Sequence, residues 1–114
     1  MSEEPDLEAV AALIEDETAR RILTEISSQP MSASDLSERC DASKPTVYRR
    51  LDDLRQCDLL EETTKPDPSG GHHHTLYATN LDRIVVEVGD GSLRLEIDRR
   101  ETMADRFTRL VEGM

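Results

Sequence analysis

Tryptophan is missing from this chain of 114 residues, and its aromatic side chains are limited to Tyr48, Tyr77 and Phe107. A core without large rings has to be assembled from Leu, Ile, Val and Ala. The length suits one domain with a modest core, which dimerisation would help. No run of about 18 apolar residues is present, so no transmembrane helix is expected. The first ten residues, "MSEEPDLEAV", are acidic and place no basic segment ahead of an apolar one. They do not read as a secretory signal, and the expected location is the cytoplasm. Two cysteines, Cys40 and Cys57, make no disulfide framework and match no zinc spacing. They read as small buried hydrophobes in a reducing compartment. A thiol redox sensor stays open, because Cys40 lies near a helix start that would lower its pKa.

Lysine is the other scarcity. Of 14 basic residues only Lys44 and Lys65 are lysines, against 25 acidic residues and a formal net charge of −11. Dense carboxylates keep a surface hydrated when salt screens charge. The balance resembles that of proteins from halophilic archaea; an acidic mesophilic protein is the alternative. Global charge alone argues against nucleic acid as a partner, so local placement has to decide.

Leu7, Val10, Ala11, Leu13 and Ile14 follow a helical period after Pro5 and Asp6, and Glu15 to Glu17 interrupts it. Ala19, Ile22, Leu23 and Ile26 give a second helix, stopped before Pro30. "SASD" at Ser32 to Asp35 has the spacing of a capping box and opens a short third helix that ends near Arg39 or Cys40. A fourth helix starts at Ser43, with Pro45 tolerated in its first turn and Val47, Leu51 and Leu54 on one face. Two hairpins are expected next. The first has a Pro- and Gly-rich tip over Pro66 to Gly71 and returns through "HHTLYAT". In the second, Ile84, Val86 and Val88 alternate, "GDG" turns the chain, and Leu93, Leu95 and Ile97 alternate back. These six would share one face of a two-stranded ribbon. Met103, Phe107, Leu110 and Val111 then recur at helical spacing.

Two short helices joined by a tight turn and followed by a hairpin is the order of a winged helix-turn-helix. The expected fold is α+β, mostly α: a winged helix-turn-helix with its wing hairpin, a second β-hairpin and a C-terminal dimerisation helix. The expected division is a DNA-binding domain over 1–80 and a dimerisation extension over 81–114. Double-stranded DNA is the expected partner. In the fourth helix Lys44, Thr46, Tyr48, Arg49 and Arg50 lie off the apolar face, where Arg can bridge guanine O6 and N7. Ser43 at the start of that helix, Arg20 on the second helix, and Lys65 with His72, His73 and His74 on the wing complete the expected DNA-binding set. Adjacent strand histidines do not supply a closed metal-ligand set, and wing contact with phosphate is preferred over a bare turn or a pH or metal sensor.

"MSASDLSERCDASKPTVYRRLDDLRQCDLLEE" resembles the winged-helix core of the ArsR-like transcriptional regulators, with haloarchaeal members closest in character. That family's Ser-x-x-Thr-Val-x-Arg-x-Leu-x-x-Leu recognition helix is matched by Ser43, Thr46, Val47, Arg49, Leu51 and Leu54, and its entry into the wing by Leu59 and Leu60. The family's wing pattern is matched by Gly71, His73 and Tyr77. The resemblance covers residues 6 to 80 and implies a DNA-binding regulator. Where members have Gly after the recognition helix, this chain has Asp58. Where metal-sensing members carry Cys-x-Cys near the third helix, or His and Asp ligands on the terminal helix, this chain has only Cys40 and no His. No small-molecule effector, metal or cofactor is therefore expected.

No nucleophile–base pair or phosphate loop is present, so no enzyme is expected. A homodimer is expected through Met103, Phe107, Leu110 and Val111, because one winged helix reads too few base pairs. The alternatives are a winged-helix protein-interaction module, or a DNA-binding sensor switched by the cysteines or histidines.

Overall fold

The computed structural model describes residues 6–66 and 73–100. Four helices come first: α1 (Leu7–Glu15), α2 (Glu17–Ser28), α3 (Ala33–Arg39) and α4 (Lys44–Gln56). Strands β1 (Glu61–Pro66) and β2 (His73–Ala78) form one antiparallel hairpin, and β3 (Leu81–Gly89) and β4 (Ser92–Arg99) form another. No described helix is long and apolar enough to cross a membrane.

Each helix starts where a short polar side chain satisfies its first free N–H groups. Asp6 accepts from the Glu8 N–H, Asp16 from Ala19, Ser32 from Asp35 and Ser43 from Thr46. Of the capping box read from "SASD", the bond from the Asp35 N–H to the Ser32 hydroxyl oxygen is present. α1 ends at the same residue that begins α2: the Asp16 N–H donates back to the carbonyls of Ala12 and Leu13. The carboxylate that interrupted the hydrophobic period is therefore a junction between two helices. α3 and α4 stop at turns in which Asp41 (φ 51°) and Asp58 (φ 57°) adopt left-handed backbone. Asp58 fills the position expected to favour Gly, which Asp tolerates better than most residues.

The core is aliphatic, as a chain poor in aromatics requires. Ile22, Ile26, Leu36, Val47, Leu51, Leu54 and Leu59 are fully buried. Truncating any of the leucines to Ala costs about 2–5 kcal/mol by analogy with other cores. Tyr77 closes this core from the wing side. Its backbone pairs with Met31 ahead of α3, N to O in both directions at 3.0 and 2.8 Å. The wing is thereby fixed to the helix-turn-helix by a bridge that hydrophobic periodicity did not announce.

The second hairpin follows the expected alternation, with one irregularity between Leu81 and Arg83. Ile84 faces Ile97, Val86 faces Leu95, and Val88 faces Leu93. Asp90 (φ 54°) and Gly91 (φ 75°) supply the two left-handed residues that a tight two-residue turn needs. The opposite face carries cross-strand ion pairs, Arg83 with Asp98 and Arg94 with Glu87. At its base the ribbon is joined to the domain. The Arg99 Nε donates to the Asp58 carbonyl (2.9 Å) at the end of α4. Arg100 donates through its backbone to Asn80 (2.7 Å), and through its guanidinium to the carbonyls of Thr79 (3.2 Å) and Ser27 (3.2 Å) at the end of α2.

The stripe Met103, Phe107, Leu110 and Val111 lies outside the described residues, as does His72 and the wing tip.

Candidate nucleic-acid interface

α4 presents Val47, Leu51 and Leu54 to the core, so the opposite side of the helix faces outward. Ser43, Lys44, Pro45, Tyr48, Arg49, Asp52 and Arg55 are exposed there, while Thr46 and Arg50 are partly covered. The first two turns of this outward side are cationic and hydrogen-bonding. The following turns carry Asp52 and Asp53. Ser43 and Thr46 stabilise the helix start: the Ser43 hydroxyl donates to Thr46 Oγ1 at 2.9 Å and accepts from the Thr46 N–H at 3.3 Å.

Most described basic side chains already have a partner. Arg21 pairs with Glu17, Arg39 with Glu25, and Arg55 with Asp52 and Glu62. Arg20 donates to the carbonyls of Ile14 (2.6 Å) and Glu15 (2.7 Å), closing the end of α1. Arg50 donates from Nε to Asp16 Oδ2 at 3.0 Å and from Nη1 to Asp53 Oδ2 at 3.1 Å. Among the described side chains, Lys44 and Arg49 are the cations with neither an ion pair nor a hydrogen bond. Both sit at the exposed start of α4. Tyr48, between them in sequence, is 53% exposed.

The expected DNA-binding set, with Arg20, Lys44, Arg49, Arg50 and the wing among its members, is therefore divided by the structure. Arg20 and Arg50 hold helices together. Lys44, Tyr48 and Arg49 stand free toward solvent. On the wing, Lys65 and His73 pair with His74 and Pro66 through the backbone ladder, and His74 is exposed. The side chains of Lys65 and His73 lie outside what is described.

Sequence reading missed Asp16, Arg99 and Arg100. Asp16 carried a signal, since an acidic residue three positions ahead of Ala19 is an N-cap pattern. The two arginines carried none, because their acceptors are carbonyls distant in the chain.

The cysteines stand apart from this surface. Cys40 is buried in the core, and Cys57 is half-buried at the end of α4. Burial pushes both thiols above their ordinary pKa, with Glu25 adding to the push on Cys40 and Asp6 and Asp53 to that on Cys57. Burial likewise raises the Tyr77 phenol, helped by Glu62. Among the described residues no group of three or more His, Cys, Asp or Glu side chains is arranged to hold a metal ion.

Residues 14–63 match the family model described as "Helix-turn-helix domain". An ArsR-like transcriptional regulator from Rhodococcus sp. RHA1 superposes with a TM-score of 0.54 and 32% identity, over 64% of this chain and 62% of that one. This chain thus spans less than two thirds of that regulator's length. NolR from Sinorhizobium fredii superposes with a TM-score of 0.53 over 66% of this chain and 69% of that one. At 17% identity that likeness concerns the fold alone. No curated protein matches the chain. The matched segment runs from the end of α1 to the start of β1, and with the β1–β2 hairpin beside it the four helices have a winged-helix-like fold.

Proposed function

We propose that this chain is a sequence-specific regulator of transcription that binds double-stranded DNA as a homodimer. The observation that carries the reading is the placement of the free cations. In a chain of net charge −11, the described basic side chains left without a partner are Lys44 and Arg49, side by side with Tyr48 on the exposed start of α4. In a helix-turn-helix this is the part of the second helix that meets base edges in the major groove. Arg49 is the base-reading side chain, Lys44 and the open helix start contact phosphate, and the wing with Lys65 and the histidines lies along the backbone. The likeness to an ArsR-like transcriptional regulator supports the same reading. Arg20 braces α2 against the end of α1, and Arg50 contributes by setting the angle of α4 on the domain. The small lysine content and dense carboxylates support work at high ionic strength, as in haloarchaeal proteins, inside the cytoplasm.

The test is a selection from a random duplex library with the full chain. Enrichment of an inverted repeat is the expected result. Enrichment of no sequence, with binding of an acidic protein at the same face instead, would move the chain to the class of protein-interaction modules.

A further inference from the structure

A cleft of about 490 Å³ opens between α2 and the end of α3, lined by Glu17, Arg20, Arg21, Thr24, Glu25 and Arg39. Across the whole chain 25 acidic residues face 14 basic ones. In this cleft the balance is reversed, with guanidinium groups outnumbering carboxylates. Each arginine here keeps donors to spare. Arg20 is anchored: its Nη1 donates to the carbonyls of Ile14 and Glu15 at 2.6 and 2.7 Å, which leaves the N–H groups of Nε and Nη2. Arg21 lies 3.6 Å from Glu17, and Arg39 on α3 lies 3.6 Å from Glu25 on α2. Both contacts are ion pairs without a hydrogen bond. Both arginine side chains are more than half exposed, 53% for Arg21 and 57% for Arg39. Pairs of this kind add little stability. Their guanidinium donors are therefore open to a better acceptor.

We propose that this cleft binds the phosphoryl group of a small phosphate monoester. The donors select the class. A guanidinium fork matches the oxygens of a carboxylate or a phosphate. A carboxylate brings one charge and two oxygens, enough for a single fork. A phosphoryl monoester brings close to two charges and three acceptor oxygens, which suits Arg21 and Arg39 reaching from two helices, with Arg20 beside Arg21. Binding replaces two loose ion pairs by charge-assisted hydrogen bonds, which are shorter and stronger. The cleft is larger than a phosphoryl group, and its volume falls within the range of about 300–1,000 Å³ usual for small-molecule sites. Glu17 and Glu25 then accept from hydroxyl or amino groups on the rest of the molecule. The place of the cleft in the fold gives it a consequence. Arg39 is the last residue of α3 and Arg21 belongs to α2. An anion held by both ties these helices together just ahead of the turn into α4. From Arg39 to Lys44 the chain can span at most about 18 Å, so the cleft adjoins the exposed start of α4. That last step, from the site to DNA affinity, rests on the DNA-binding reading above; the site itself does not.

The experiment is an NMR titration of the isotope-labelled full chain without DNA, following the arginine Nε–H signals. The probes are glycerophosphate and inorganic phosphate, set against chloride at matched ionic strength. Saturable shifts of the Arg20, Arg21 and Arg39 signals are expected with either phosphate and not with chloride. Arg21→Gln and Arg39→Gln, with the melting behaviour of wild type, should each weaken glycerophosphate binding by roughly tenfold. Glu25→Gln should tighten it severalfold, because it removes the carboxylate that competes for Arg39; a purely structural ion pair gives no such gain. Shifts that grow alike with chloride, or binding unchanged in both Arg variants, overturn the site. A second arm adds glycerophosphate to the chain on its selected duplex. A change in duplex affinity that Arg39→Gln abolishes supports the link to α4, and an unchanged affinity overturns that link alone. If both Arg variants lose duplex affinity while neither phosphate binds the free chain saturably, the arginines belong to the DNA backbone contact and the small-molecule site is overturned. Saturable phosphate binding by a chain that enriches no duplex keeps the site and overturns the DNA reading.

Discussion

Arg50 on α4 and Asp16 between α1 and α2 are joined through Nε and Oδ2 at 3.0 Å. Asp16 performs three tasks with one residue. Its N–H terminates α1, its carboxylate caps α2 by accepting from the Ala19 N–H at 2.8 Å, and the same Oδ2 receives Arg50. Both side chains are less than a third exposed. The pair sets how the candidate reading helix lies on the N-terminal helices.

Asp16→Ala should therefore destabilise the domain by about 2–3 kcal/mol, combining a lost cap with an unpaired, partly buried Arg. Asp16→Asn keeps a cap acceptor and should cost less. Arg50→Met keeps the apolar stem and should cost about 1 kcal/mol. A double-mutant cycle by urea unfolding measures the coupling. If Arg50→Met leaves stability unchanged but lowers DNA affinity, Arg50 is a DNA contact and not a brace.

Much of this architecture was legible in the sequence because it rests on local rules. The helix starts follow from short polar side chains at fixed offsets. The register of the second hairpin follows from alternation around "GDG", which fixes the turn and hence every rung. The fourth helix and its buried face follow from Val47, Leu51 and Leu54. What escaped were contacts between groups far apart in the chain. Nothing near Arg50 reveals that its acceptor is Asp16, and nothing near Arg100 reveals the Ser27 carbonyl. Pattern reading therefore treated the basic residues as one strip. Pairing with carboxylates and carbonyls reduces its free described members to Lys44 and Arg49.

The thiols make a second prediction. Cys40 is the more deeply buried, so Cys40→Ser should cost about 1–3 kcal/mol and Cys57→Ser less. Both thiols have pKa values raised above the ordinary 9.0. The folded chain then holds protons that the unfolded chain releases, and this stabilising contribution is complete below about pH 9 and lost as pH rises through the folded values. Alkaline titration of stability should fall less steeply in Cys40→Ala than in wild type. Iodoacetamide labelling at pH 8 should be slower in the native state than in urea. Rapid native labelling, together with an oxidant response in DNA binding, would establish the redox-sensor reading instead.

The free cations make the third. Lys44 and Arg49 occupy the same exposed stretch of α4 but differ in chemistry. A guanidinium can hold one guanine edge through two bonds, whereas an ammonium is a point charge suited to phosphate. Arg49→Ala should weaken binding to the selected duplex by about 1–3 kcal/mol and relax the preference at one base position. Lys44→Ala should weaken binding to selected and scrambled duplexes alike, and reduce the slope of log affinity against log salt by about 1. Concentrated salt weakens the counterion-release contribution, so the ratio of the two effects should shift toward Arg49 as salt rises. Both variants should keep wild-type melting behaviour, because neither side chain is bonded to the rest of the described domain. The measurement is fluorescence anisotropy with both duplexes from about 0.1 to 1 M KCl, a range over which the Debye length falls from ~10 to ~3 Å. If Arg49→Ala changes neither affinity nor sequence preference, α4 is not the helix that reads DNA.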